Sequence, residues 1–143
     1  MTSGYILATK TKQAIYNDGG TVEIRGDSYL RSTSNQRAAV QNINDGNMTI
    51  KGGTIISTRF SGVVNTANLI IGEEDGTHNT SSPSIQGKKY GLTTDRNISM
   101  YDGILKGETD SIDNQEFIVN FETNHTLITG TDGSFKTLYF EQQ

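Results

Sequence analysis

The quartet Ala14-Ile15-Tyr16-Asn17 returns as Ala39-Val40-Gln41-Asn42 and again as Gly62-Val63-Val64-Asn65. Weaker copies stand at Gly91-Leu92-Thr93-Thr94 and Ser111-Ile112-Asp113-Asn114. The pattern is small, aliphatic, variable, then Asn or Thr. Starts at 14, 39, 62, 91 and 111 lie 25, 23, 29 and 20 residues apart. A second short alternation follows each of the first four copies: Val22-Glu23-Ile24, Met48-Thr49-Ile50, Leu69-Ile70-Ile71 and Ile98-Ser99-Met100. Gly26, Gly52, Gly72 and Gly103 lie close behind these, and Tyr29-Leu30, Ile55-Ile56 and Ile104-Leu105 add a third apolar touch. Each unit therefore reads as two or three strands of a few residues, separated by Gly, Asn and Asp turns.

Repeats of about 24 residues made only of short strands predict an all-β, β-solenoid fold of about five to six coils. One coil buries too little to fold alone, so coils must stack. Parallel ladders then pair every strand with the coils above and below it. Two interior columns are predicted: Ile15, Val40, Val63, Leu92 and Ile112, and Ile24, Ile50, Ile71 and Met100. At about 4.8 Å per coil the rod is about 25–30 Å long. Asn17, Asn42, Asn65 and Asn114 are expected at tight corners, where Asn tolerates left-handed backbone, with their amides stacked in a hydrogen-bonded row.

Composition agrees. Among 143 residues there are 15 Ile but only 7 Leu and 5 Ala, which favours strands over helices. Absence of Cys removes disulfides and thiolate chemistry. Twelve basic against sixteen acidic residues give a net charge of −4, so no nucleic-acid partner is expected. No apolar run reaches the roughly 20 residues needed to span a bilayer, so no membrane insertion is expected. The first residues show no export signal; if the chain is exported, its signal was removed or lies in a longer parent chain, with adjoining domains as neighbours.

The AIYN-type repeats, the segment Ser82-Pro83-Ser84-Ile85-Gln86-Gly87-Lys88-Lys89-Tyr90-Gly91 and the segment Met100-Tyr101-Asp102-Gly103-Ile104-Leu105-Lys106-Gly107 resemble repeats of the right-handed parallel β-helices of bacterial, especially Gram-positive, surface proteins, a pectate-lyase-like superfold. The resemblance covers about residues 14 to 110. It implies a single-stranded right-handed coil displayed outside the cell or on its surface, as a stalk, adhesin or carbohydrate-associated module. It carries no catalytic motif onto this chain.

Two stretches leave the repeat. The 29-residue spacing contains Glu73 to Ser82, expected as a loop on one face. The tail from Glu116 holds four of the five Phe and reads as an antiparallel segment capping the open end. The chain is thus expected to be one domain: an N-terminal edge or cap over 1–13, coils over 14–115 and a cap over 116–143.

Candidate chemistry is thin. Glu73, Glu74 and Asp75 offer the oxygens that Ca²⁺ takes, yet no EF-hand or Gly-Gly-x-Gly-x-Asp spacing is present, so no cofactor or metal is expected. Asp45, Asp75, Asp95 and Asp102 could furnish a carboxylate pair for glycoside hydrolysis, but Asp45, Asp75 and Asp102 each precede a turn glycine. His78 and His125 share no ligand motif. Lys88, Lys89 and Tyr90 could meet an acidic glycan. Tyr101 and Tyr90, with Tyr16 and Tyr29, are candidate sugar-stacking rings, and Tyr16 should point outward beside an inward Ile15. Glu73, Glu74, Asp75, His78, Lys88, Lys89, Tyr90, Tyr101 and Asp102 are the candidate binding residues, and none is assigned a catalytic role. The expected function is a non-catalytic, monomeric adhesive or structural module contacting cell-surface or host glycans. The alternatives are a fragment of a polysaccharide lyase or glycoside hydrolase, and a phage tail-fibre segment, which would be a trimer.

Overall fold

The computed structural model describes residues 1–77 and 79–142. Seventeen strands occur in this range: β1 (Tyr5–Ala8), β2 (Ile15–Asp18), β3 (Thr21–Ile24), β4 (Tyr29–Ser32), β5 (Val40–Ile43), β6 (Asn47–Ile50), β7 (Thr54–Ser57), β8 (Val63–Asn65), β9 (Asn68–Ile71), β10 (Ser84–Gly87), β11 (Tyr90–Thr94), β12 (Ile98–Met100), β13 (Ile104–Gly107), β14 (Asp110–Ile112), β15 (Ile118–Asn120), β16 (His125–Asp132) and β17 (Phe135–Gln142). They form three sheets that the chain visits in rotation. The first sheet stacks β1, β4, β7, β10 and β13, then takes on β17 and β16. The second stacks β2, β5, β8, β11 and β14, and the third β3, β6, β9, β12 and β15. Neighbours are parallel except for β13 with β17 and β17 with β16. The protein is a parallel β-solenoid of about five turns closed by an antiparallel strand pair.

Both predicted columns are present residue for residue. Ile15 pairs with Val40, Val40 with Val63, Val63 with Leu92 and Leu92 with Ile112. Ile24 pairs with Ile50, Ile50 with Ile71 and Ile71 with Met100. The third apolar touch supplies a third column, Leu30, Ile55, Ile85 and Leu105, all fully buried. Each such side chain removed from water contributes about 2 kcal/mol. Because strand side chains alternate, every inward aliphatic leaves its neighbour outward. Tyr16 accordingly stands 52% exposed beside Ile15.

The Asn row is real but differs from expectation in two respects. Asn17 Nδ2 donates to Asn42 Oδ1 at 2.8 Å, and Asn42 Nδ2 to Asn65 Oδ1 at 2.9 Å. Asn65 Nδ2 then donates to Thr94 Oγ1 at 3.1 Å, and Thr94 Oγ1 donates to the Arg96 carbonyl at 3.0 Å. These residues lie in strands; the left-handed backbone belongs instead to Asn44 and Asp45 in the turn just after. Asn114 does not join the row. It opens a 3₁₀ turn, Gln115–Phe117, where its side chain accepts from the Glu116 amide, and Thr94 meets Asp113 instead, donating its amide to Oδ1 at 3.2 Å.

The chain turns at three corners per coil. The first corner, from first to second sheet, comprises residues 9–14, 33–39, 58–62, 88–89 and 108–109. The second, from second to third sheet, comprises 19–20, 44–46, 66–67, 95–97 and 113–117. The third, leading back to the first sheet, comprises 25–28, 51–53, 72–83 and 101–103. At this third corner Gly53 takes φ 94°, and a Cβ there would press on the Ser28 carbonyl, so the second coil uses Gly53 rather than Gly52 as its left-handed residue. The longest excursion, 72–83, emerges here between β9 and β10. In the tail, Ile118–Asn120 pairs parallel with β12 and so continues the third sheet, and antiparallel pairing begins only at His125.

Candidate functional site

The excursion at the third corner is held from within. Asp102, 7% exposed, accepts the Glu73 amide on Oδ2 at 2.9 Å and the Asn79 amide on Oδ1 at 3.0 Å. Its two oxygens thus clamp both arms of the loop. Asn79 Oδ1 accepts from the Ser81 and Ser82 amides, at 2.9 and 3.0 Å. Asp75 accepts from the Thr77 hydroxyl at 2.6 Å and the Thr77 amide at 3.0 Å, and these bonds hold its carboxyl below the ordinary aspartate value. Glu73 meets Lys51 at 3.0 Å, and Glu23 lies 3.6 Å from the same ammonium. The hydrogen bond to Glu73, then the charge of Glu23, raises the Lys51 pKa. Glu74 is exposed, Tyr101 is half-buried and donates its amide to Ile71, and His78 lies outside the described residues. Among the described residues no group of three or more His, Asp or Glu is arranged to hold a metal ion.

Lys88 and Lys89 fall at the first corner, at the far end of β10 from the acidic loop, and Tyr90 opens the strand that follows, so the structure does not join them to that loop. Lys88 meets Glu108 at 2.7 Å and holds the Glu108 carboxyl below its ordinary value. The Lys89 ammonium stands 5.1 Å above the Phe60 ring, within cation–π reach. Tyr90 is half-buried at the start of β11, its carbonyl accepting the Gly62 amide at 3.1 Å. His125 is a buried residue at the start of β16, with Nδ1 3.0 Å from the Thr123 carbonyl.

The feature that the sequence did not disclose lies beside this corner, on the outer face of the second sheet. Register aligns the outward Tyr16, Gln41 and Val64 in one column. First-corner loops border it and leave two adjoining hollows. One, of about 420 Å³, is lined by Thr11, Lys12, Gln13, Tyr16 and Arg37. The other, of about 270 Å³, is lined by Gln36, Arg37, Ala38, Gln41, Phe60 and Val64. Arg37 borders both, and Gln13 Nε2 bridges between them to Gln41 Oε1 at 2.7 Å. Together they form a groove offering an exposed phenol ring, amides and unpaired cations. Among the described residues, Lys12 and Arg37 make no ion pair. A concave surface with one apolar platform and several polar groups is how proteins hold small polar ligands.

What the fold and this groove define is a class, a β-solenoid repeat domain. No family model matches the chain, and no curated protein or solved structure matches it either. No helix among the described residues is long and apolar enough to cross a membrane.

Proposed function

We propose that this domain is a non-catalytic adhesive module of a bacterial surface or secreted protein and that it contacts glycans through the groove on its second sheet. One observation carries the reading: coil stacking places exposed Tyr16 beside Gln13, Lys12 and Arg37 in one concave surface. An aromatic face packs against a sugar's C–H surface, while amides and cations bind its oxygens. The internal engagement of the candidate acids weighs against a catalytic role for them. Asp102, Asp75 and Glu73 are occupied in holding the loop or in pairing with Lys51. The bacterial and extracellular parts rest on the resemblance of the repeats.

A glycan array probed with the folded domain tests this. Binding that Tyr16→Ala weakens supports the reading. No binding to any glycan at millimolar-range sensitivity reduces the domain to a spacer. Product release from acidic polysaccharides, with or without Ca²⁺, overturns the non-catalytic assignment.

A further inference from the structure

Charge is not spread evenly around this solenoid. The first corner carries six of the twelve Lys and Arg residues, Lys10, Lys12, Arg37, Arg59, Lys88 and Lys89, against one acid, Glu108. The other two corners carry three basic residues, Arg25, Lys51 and Arg96, against nine acidic ones. A chain with net charge −4 therefore presents one positive edge and two negative ones.

The positive edge is periodic. Lys10 and Lys12 stand in the layer between β1 and β2, Arg37 between β4 and β5, Arg59 between β7 and β8, and Lys88 and Lys89 between β10 and β11. Backbone bonds hold these layers in sequence: the Thr33 amide donates to Ala8, the Thr58 amide to Ser32 and the Lys88 amide to Phe60. With layers about 4.8 Å apart, each bears one or two cations, closer than the Debye length of about 8 Å, so their fields add. Among the described residues Lys88 is neutralised by Glu108, and Lys10, Lys12, Arg37 and Arg59 form no ion pair. The Tyr16 groove opens along the same edge.

We infer that this corner is the binding edge for a linear acidic polysaccharide, laid along the solenoid axis so that its carboxylates or sulfates meet successive layers. The inference rests on the glycan reading above and names the class of glycan. A thin, hydroxyl-rich chain fits better than a broad nucleic acid. It follows one corner without approaching the two acidic ones, and Gln13, Gln36 and Gln41 supply amides for its hydroxyls. Binding of this type is driven by counterion release and weakens steeply with salt.

The test measures binding of the folded domain to immobilised polygalacturonate, heparin, neutral dextran and a single-stranded DNA oligonucleotide, at low and physiological salt. Two double variants are compared, Lys12→Ala/Arg37→Ala at the edge and Arg96→Ala/Lys136→Ala elsewhere, each checked by circular dichroism. The expected result is salt-sensitive binding to an acidic polysaccharide, at least tenfold weaker and less salt-dependent in the first variant and unchanged in the second. Equal losses in both variants overturn the inference by showing a net-charge effect. Binding to DNA as tight as to either acidic polysaccharide also overturns it. Binding to dextran alone, insensitive to Lys12 and Arg37, overturns the acidic edge and leaves the glycan reading standing. No glycan bound at all removes both.

Discussion

The first and third corners sit at opposite ends of the first-sheet strands and share the same coil geometry, yet their polar groups are spent differently. At the third corner the Glu73, Asp75, Asn79 and Asp102 side chains are consumed in closing one loop or in pairing with Lys51. At the first corner, four of six cations have no such partner among the described residues. Dense polar sequence is thus a poor guide to a binding surface. What matters is whether a group's bonding capacity is already used inside the fold, because an occupied carboxylate has little left to offer a ligand.

The contrast can be attacked at both ends. The sharpest effect is expected from Gly87→Ala. Gly87 enters the two-residue turn Lys88-Lys89, and a Cβ there would overlap the Tyr90 carbonyl. Overpacking against backbone costs about 3 kcal/mol, seen as a lower urea midpoint. Next is Asp102→Ala, which strands the Glu73 and Asn79 amides. It is expected to cost about 1–3 kcal/mol and to speed proteolysis within 73–82. An unchanged midpoint and cleavage rate would show that the loop does not need its clamp. Lys12→Ala/Arg37→Ala should shift stability by no more than about 0.5 kcal/mol, since neither charge is paired among the described residues. A large loss on melting would mean that the first corner is as internally committed as the third.

The smallest effect is electrostatic. Asp75 is held below its ordinary value of 3.8 by Thr77. Its contribution to stability is therefore present above the unfolded pKa and lost as pH falls through the folded one. Lys51, raised above 10.5, behaves oppositely: its contribution is full below that value and disappears as pH rises through the folded pKa. Thr77→Ala should return the Asp75 carboxyl toward 3.8 in a carbon-detected NMR titration and leave Lys51 unmoved.

The columns were readable because an aliphatic, an outward residue and an Asn recur in fixed order, and parallel stacking turns that order directly into register. Ile118–Asn120 was not separable from the tail, because its apolar alternation suits a parallel or an antiparallel strand equally. Asn114 was misplaced for a related reason. It completes the quartet in sequence, but the last coil bends into a 3₁₀ turn that takes its side chain. The groove was hidden because Lys12, Arg37 and Phe60 occur in first-corner segments of six, seven and five residues, which no constant spacing aligns. The available clue was the variable third quartet position, held by Tyr16, Gln41 and Val64, which any stacked coil must turn outward.

The Asn row has a further consequence. Every side-chain bond in it is donated the same way, from Asn17 toward Asn42, Asn65 and Thr94, until the last hydroxyl discharges onto the Arg96 carbonyl. Four dipoles aligned head to tail polarise one another, so the file behaves as a single cooperative unit with a direction. Severing it at Asn42 should weaken the links on either side of the break, and paired substitutions along it should cost less than their separate effects combined.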